Sequence, residues 1–373
     1  MNRIYYIDNL RIFLIVLVVL HHLAITYGGP GGWYYVENEP DTLSAILYSM
    51  FLASNQSFFM GLFFLISAYF TAHVIERKKT GKFISDRLKR LVIPLLVYYF
   101  IISPVVVFMV VRWHYNDMIS FKDFIIERHG FGFGPMWFVE ALIYFTGIYL
   151  IYYYIFERKR SRKLRTLKLP GNGMILLFAL LIGAAAFVIR IWLPVGWEFR
   201  PLGFQFPYFL QYIFMFAMGI FVYKRGWLES LTYKKGIGWF VFAQVCIFIL
   251  FPLMFLFGGG SSGNLDPFLG GVHWQSLAYA VWEQVTGFSL IIGLMGIFKQ
   301  KWNAQGKLMQ IASKSTYTVF IIHPLVLVAL ALSLRNIQIY PLLKYVAVAP
   351  IAVISCFVLA TIIREMPLAK KIL

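Results

Sequence analysis

Leu10-Arg11-Ile12-Phe13-Leu14-Ile15-Val16-Leu17-Val18-Val19-Leu20-His21-His22-Leu23-Ala24-Ile25-Thr26-Tyr27 is almost wholly apolar, yet it carries an arginine near its start and two histidines near its end. A helix needs about 20 apolar residues to cross the hydrocarbon core of a bilayer. The run approaches that length and is followed by Gly28-Gly29-Pro30, without a small-residue cleavage site. It therefore reads as a retained membrane helix and not as a signal peptide. Arg11 and His22 are eleven positions apart. At about 100° per residue they fall within about 20° of one face and about 16 Å apart along the axis. His21 lies about 80° off that stripe. Asp8 precedes Arg11 by one turn and can pair with it. Ionisable groups inside a bilayer are costly and mark candidate sites. Plainer readings stand beside this one: Arg11 snorkelling at the helix end, and His22 as a hydrogen-bonded core histidine.

The same length rule predicts ten spans, near 10–27, 51–75, 91–111, 136–156, 174–193, 206–223, 238–257, 275–298, 315–334 and 342–363. The second is the least regular, because it opens on Ser54-Asn55-Gln56-Ser57. Composition agrees: 60% of the residues are hydrophobic, 19% aromatic and only 13% charged. A water-soluble domain carries about 25% charged residues. The net charge of +18 does not point to nucleic acid, because the basic residues sit in short loops between apolar runs. Arg77, Lys78, Lys79, Lys82, Arg87, Lys89 and Arg90 fall in 76–90, and Arg158, Lys159, Arg160, Arg162, Lys163, Arg165 and Lys168 in 157–173. Loops of the other parity hold the acidic Glu37-Asn38-Glu39-Pro40-Asp41 and the Gly-rich 258–271. The positive-inside rule then places both termini in the cytoplasm. The expected fold is an all-α polytopic membrane bundle, one domain over 1–373, with no repeat at a solenoid period. The Gly-rich loops after the first and seventh spans read either as flexible turns or as a lid over an outward-facing site.

Further polar residues fall inside the spans. Glu140 lies one turn into the fourth, and Glu283 about 15 Å along the eighth. Either can orient a histidine as a general base, or neutralise Arg190 or Arg200. His323 is followed by Pro324, whose missing N–H frees backbone groups that need new partners. That favours a structural role for His323, with a catalytic one as the alternative. Cys246 and Cys356 sit in apolar runs and read as small buried hydrophobes. Nothing spaces His73, His114 or His129 as metal ligands. No serine nucleophile elbow, phosphate-binding loop or dinucleotide fingerprint is present.

Asp8-Asn9-Leu10-Arg11, ten intervening residues and His22 resemble the opening of the integral-membrane acyltransferase-3 family. Phe63-Phe64-Leu65-Ile66-Ser67-Ala68-Tyr69-Phe70 is similar to that family's FF-x-ISGY stretch, with Ala68 where glycine is usual. Arg87-Leu88-Lys89-Arg90 leading to Pro94, Trp137-Phe138, and Tyr317-Thr318-Val319-Phe320-Ile321-Ile322-His323-Pro324 resemble further family blocks, in family order. Trp137–Tyr144 and the stretch Arg200–Tyr208 look most like the subgroup containing periplasmic glucan succinyltransferases. The resemblance implies a multi-pass enzyme of a bacterial inner or plasma membrane. It would transfer an acyl group from cytoplasmic acyl-CoA to a hydroxyl of an extracytoplasmic glycan or other cell-envelope acceptor, with no bound cofactor or metal. His22 would be the catalytic base. Arg11, Arg87 and Arg90 would bind the donor, with Asp8 orienting the helix end; Glu140 and Glu283, by their place inside the spans and not by the resemblance, are the candidate catalytic carboxylates. His21, Trp137 and His323 are further candidates. The competing class is a transporter or flippase using Glu140, Glu283 and His323 as a proton or substrate path; carriers of that kind often show internal pseudo-repeats, and none is visible here.

Overall fold

A computed structural model describes residues 3–372 apart from 38, 116–117, 128, 159–166, 201 and 261–262. The expected basic cluster at Lys159, Arg160, Arg162, Lys163 and Arg165 lies outside the described residues. Among the described residues, ten helices are long and apolar enough to cross a membrane: α1 Tyr5–Thr26, α2 Thr42–Ile75, α3 Thr80–Trp113, α4 Gly134–Glu157, α5 Asn172–Arg190, α6 Phe206–Arg225, α7 Tyr233–Phe257, α8 Trp274–Lys301, α9 Lys307–Ser333 and α10 Pro341–Glu365. An isolated bridge, Phe199 to Phe204, is the nearest thing to a strand among the described residues. The fold is thus an all-α polytopic membrane bundle. Its ten spans follow the apolar runs, and all but α5 are longer than expected. α2 begins at Thr42 and not near 51, because Asp41 caps it through Leu43 N (3.0 Å) and Ser44 N (3.2 Å). α3 begins at Thr80, so most of the expected basic loop 76–90 is helical.

Burial sorts the helices into two rings. In α2, α8 and α9 the apolar windows are 72%, 78% and 78% buried, whereas in α5, α7 and α10 only 22% is buried. The first group sits largely inside the bundle and the second at its rim, where side chains are left open to surrounding lipid. Lipid tails are as apolar as leucine, so helices associate here through close packing and internal hydrogen bonds. Small residues make that approach possible. A Cβ on Gly219 of α6 would stand 2.8 Å from Ala68 Cβ and 3.0 Å from the Leu65 carbonyl carbon of α2. Gly219 therefore supplies the room that lets alanine occupy position 68.

The polar stretch in the second span also has a packing reason. Asn55 Nδ2 donates to the Leu17 carbonyl of α1 (3.4 Å), and Gln56 Nε2 to the Tyr212 hydroxyl of α6 (2.9 Å). Ser57 Oγ bonds back to Ser54 O (2.7 Å), where α2 turns before continuing at Phe59. Those side chains tie α2 to the two helices beside it. At the face where α1 begins and α10 ends, Asn9 Nδ2 donates to Trp302 O (2.8 Å) and Ala304 O (3.0 Å), fixing the start of α1 against the α8–α9 turn. This terminal face and the opposite face each carry a cavity.

Candidate active site

α1 runs against α9, and that pairing brings two histidines together. His323 Nε2 lies 3.2 Å from His22 Nδ1, with the rings 5.0 Å apart and inclined by 28°. Trp33, from the loop that follows α1, lies flat over both rings. Its centroid is 4.0 Å from that of His22 at 21° and 5.9 Å from that of His323 at 14°. The loop is pinned just after the indole. Tyr34 OH and Tyr98 OH of α3 are 2.7 Å apart. Glu37 bonds through its N–H to Thr26 O (2.8 Å) and through its carboxylate to Lys344 of α10. Lys344 is buried and also donates to Leu334 O (2.8 Å) and Ile337 O (2.9 Å). Burial raises the Glu37 carboxyl above its ordinary range, and the Lys344 ammonium opposes that rise. Gly28 and Gly31 take positive φ values of 106° and 143° in this loop, a conformation that favours glycine.

His22, Trp33 and His21 line a cavity of about 720 Å³ that opens towards the opposite face. His21 packs on Phe59 (5.1 Å) and edge-on to His22 (5.4 Å). Trp137, Tyr208, Tyr279, Gln56, Gln205 and Glu198 line the same space. Flat aromatic faces with a few polar groups suit a polar ring compound better than a lipid chain.

A second cavity, of about 490 Å³, opens at the terminal face. Arg3, Arg11, Arg87, Arg90, Lys314 and Arg364 line it, with Asp8 as the acidic residue among them. Asp8 pairs with Arg11 (3.7 Å) and more closely with Arg3 (2.6 Å). Arg3 also donates to Ser313 Oγ (2.6 Å). The Arg11 side chain keeps 36% of its surface exposed, so it faces the open cavity and not the packed interior. Arg87 is held by Thr71 Oγ1 (2.7 Å) and lies over the Phe83 ring (5.5 Å). Tyr317 OH donates to Arg90 O (2.8 Å), linking α9 to α3. Six cations around one carboxylate leave the cavity with an excess of positive charge, and guanidinium groups have the geometry to hold phosphate oxygens.

The two cavities approach each other inside the bundle. Phe320 lines both of them. It sits one turn before His323, 5.9 Å from that ring, and meets Phe138 of α4 at 5.8 Å. Trp137 lines the histidine cavity and its neighbour Phe138 the basic one, so this dipeptide straddles the wall.

The carboxylates lie elsewhere. Glu283 Oε2 is 2.5 Å from Arg190 Nη2, both fully buried, with the guanidinium between Tyr208 (5.2 Å) and Tyr279 (5.6 Å). Gln284 Nε2 also donates to Glu283 (3.2 Å). Glu140 faces Tyr144 OH at 3.4 Å. Neither carboxylate lines either cavity. Arg11, His22 and Asp8 stand where the helical periodicity of α1 places them. Trp33, Phe320, Arg3, Lys314 and Arg364 are site residues that the spacing does not reveal. Trp33 had a weak signal in the Gly-rich run before it.

The family model for the Acyltransferase domain matches residues 4–361. No curated protein and no solved structure matches the chain.

Proposed function

The chain belongs to this acyltransferase family and is a multi-pass membrane acyltransferase, and from that premise we propose that it moves an acyl group from cytoplasmic acyl-CoA to a hydroxyl of an extracytoplasmic glycan or other cell-envelope acceptor. The observation that carries this reading is the pair of cavities, one basic and one aromatic, meeting at Phe320. The basic loops support a cytoplasmic terminal face, in this reading at a bacterial inner or plasma membrane. Arg11, Arg87 and Arg90 then bind the phosphates of the donor, with Asp8 holding Arg11. The donor's thioester reaches past Phe320 towards His22. A glycan ring rests on Trp137 and its aromatic neighbours. His22 takes the proton of the attacking hydroxyl while its oxygen bonds to the thioester carbonyl. Collapse of the tetrahedral adduct breaks the carbon–sulfur bond, and the thiolate leaves and takes up a proton. No bound cofactor or metal enters this scheme.

Glu283 is committed to Arg190 and Glu140 lines neither cavity, so in this reading they hold the scaffold and do not touch substrate. The transporter alternative needed those two carboxylates on a lined path, and they do not form one with His323. Proteoliposomes supplied with labelled acetyl- or succinyl-CoA at the terminal face provide the test. Label should appear on glycan at the opposite face, and His22→Ala should cut kcat by about 10²–10⁴ while donor binding persists. Full activity in His22→Ala would remove the histidine from this role.

A further inference from the structure

In an unbroken α-helix the carbonyl of Phe320 accepts from the N–H four residues on. Position 324 is proline and has no N–H to give. An unpartnered carbonyl is costly in a membrane interior, so a donor must come from elsewhere. His323 supplies it, with Nδ1 2.8 Å from Phe320 O. A carbonyl only accepts, so Nδ1 carries the ring proton of His323 and Nε2 keeps the lone pair. That lone pair faces His22 Nδ1 at 3.2 Å. His22 Nδ1 is also 3.0 Å from Val18 O, a second acceptor. Both contacts ask His22 for a proton on Nδ1. The proton order is then the same at every link, with no donor facing a donor.

We infer that Pro324 and His323 are positioning residues that set the tautomer of His22, leaving its Nε2 as the basic nitrogen. This rests on the reading of His22 as the base and specifies which of its atoms acts. When Nε2 takes the hydroxyl proton, the imidazolium keeps its Nδ1–H on the His323 lone pair. A neutral acceptor thus does what a carboxylate does behind a histidine in a hydrolytic triad, without placing an anion in the bilayer. Trp33 adds its electron-rich face against the same ring.

Histidine-¹⁵N-labelled protein in bilayers tests the tautomer directly, without turnover. The chain has seven histidines, and His22→Ala and His323→Phe assign the two signals by their loss. Both residues should show the Nδ1–H form in the wild-type protein; His22 in the Nε2–H form would overturn the inference and leave the acyl-transfer reading intact. Kinetics test the consequence. His323→Phe keeps a ring but no acceptor and should lower kcat at least about tenfold with donor KM unchanged. His323→Gln returns an acceptor near the Nε2 position and should recover most of that loss. Pro324→Ala restores an N–H to Phe320 O and should loosen the His323 tautomer, lowering kcat while the helix becomes more stable. Equal activity in the Phe and Gln variants would mean that His323 only fills space, even with His22→Ala inactive.

Discussion

The basic cavity and the histidine cavity are built from opposite materials. The first is lined by long cationic side chains from α1, α3, α9 and α10, several of them exposed enough to follow a moving charge. The second is lined by planar rings whose positions are fixed by packing, with the loop that carries Trp33 held by the Tyr34 and Glu37 bonds that follow it. Charge recognises at a distance and tolerates imprecise placement, whereas a proton transfer needs its heavy atoms within about 3 Å. On the proposed acyl-transfer reading, the difference teaches that one cavity is organised for capture and the other for geometry.

Variants can separate the two. The largest effect is expected from Arg87→Glu, which removes an attraction and adds a repulsion. Donor KM should rise about 100-fold at low salt, with the acceptor KM unchanged; an equal rise in both would show that the cavities are not independent. Trp33→Ala removes the stack on His22 and should lower kcat about tenfold with donor KM unaffected. Phe320→Ala thins the wall itself. Water should then reach the thioester, release the free acid and thiol, and raise the ratio of acyl-CoA hydrolysis to transfer about threefold or more. A ratio equal to wild type would show that the wall does not exclude water. Arg11→Lys is the mildest change, keeping the charge but losing the guanidinium fork. It should raise donor KM only about threefold, less than Arg11→Ala measured beside it.

The fold was largely legible because membrane helices announce themselves by length. Each span is an apolar run, and basic loops of alternate parity exclude a missed or extra crossing. The exceptions are places where polar residues serve packing. Asn55, Gln56 and Ser57 look like a loop in isolation and are helix contacts to Leu17, Tyr212 and Ser54 in the structure. At the site, Arg11 and His22 could be related because they share one helix and its period. Periodicity says nothing of which helix lies opposite, so the bond from His22 to His323 was not legible. Glu283 was open between serving a histidine and neutralising Arg190 for the same reason, and the structure pairs it with Arg190. Trp33 lies in a loop without a period. Phe320 looks like any other apolar residue of a span until the cavities on its two sides are seen. Arg3 and Arg364 come from opposite ends of the chain and meet only because α1 and α10 share a face of the bundle.

Phe320 has an electrical consequence as well. Where water-filled cavities enter a membrane protein from both faces, the insulating layer shrinks to whatever divides them, and the transmembrane voltage drops mainly across that remnant. Here Phe320 is a residue that both cavities share, so the remnant includes its ring. A charged acyl group passing it would do work of about 2.3 kcal/mol per charge for each 100 mV, compressed into that remnant. Transfer of an anionic acyl group such as succinyl should therefore respond to membrane potential, while transfer of a neutral one such as acetyl should not.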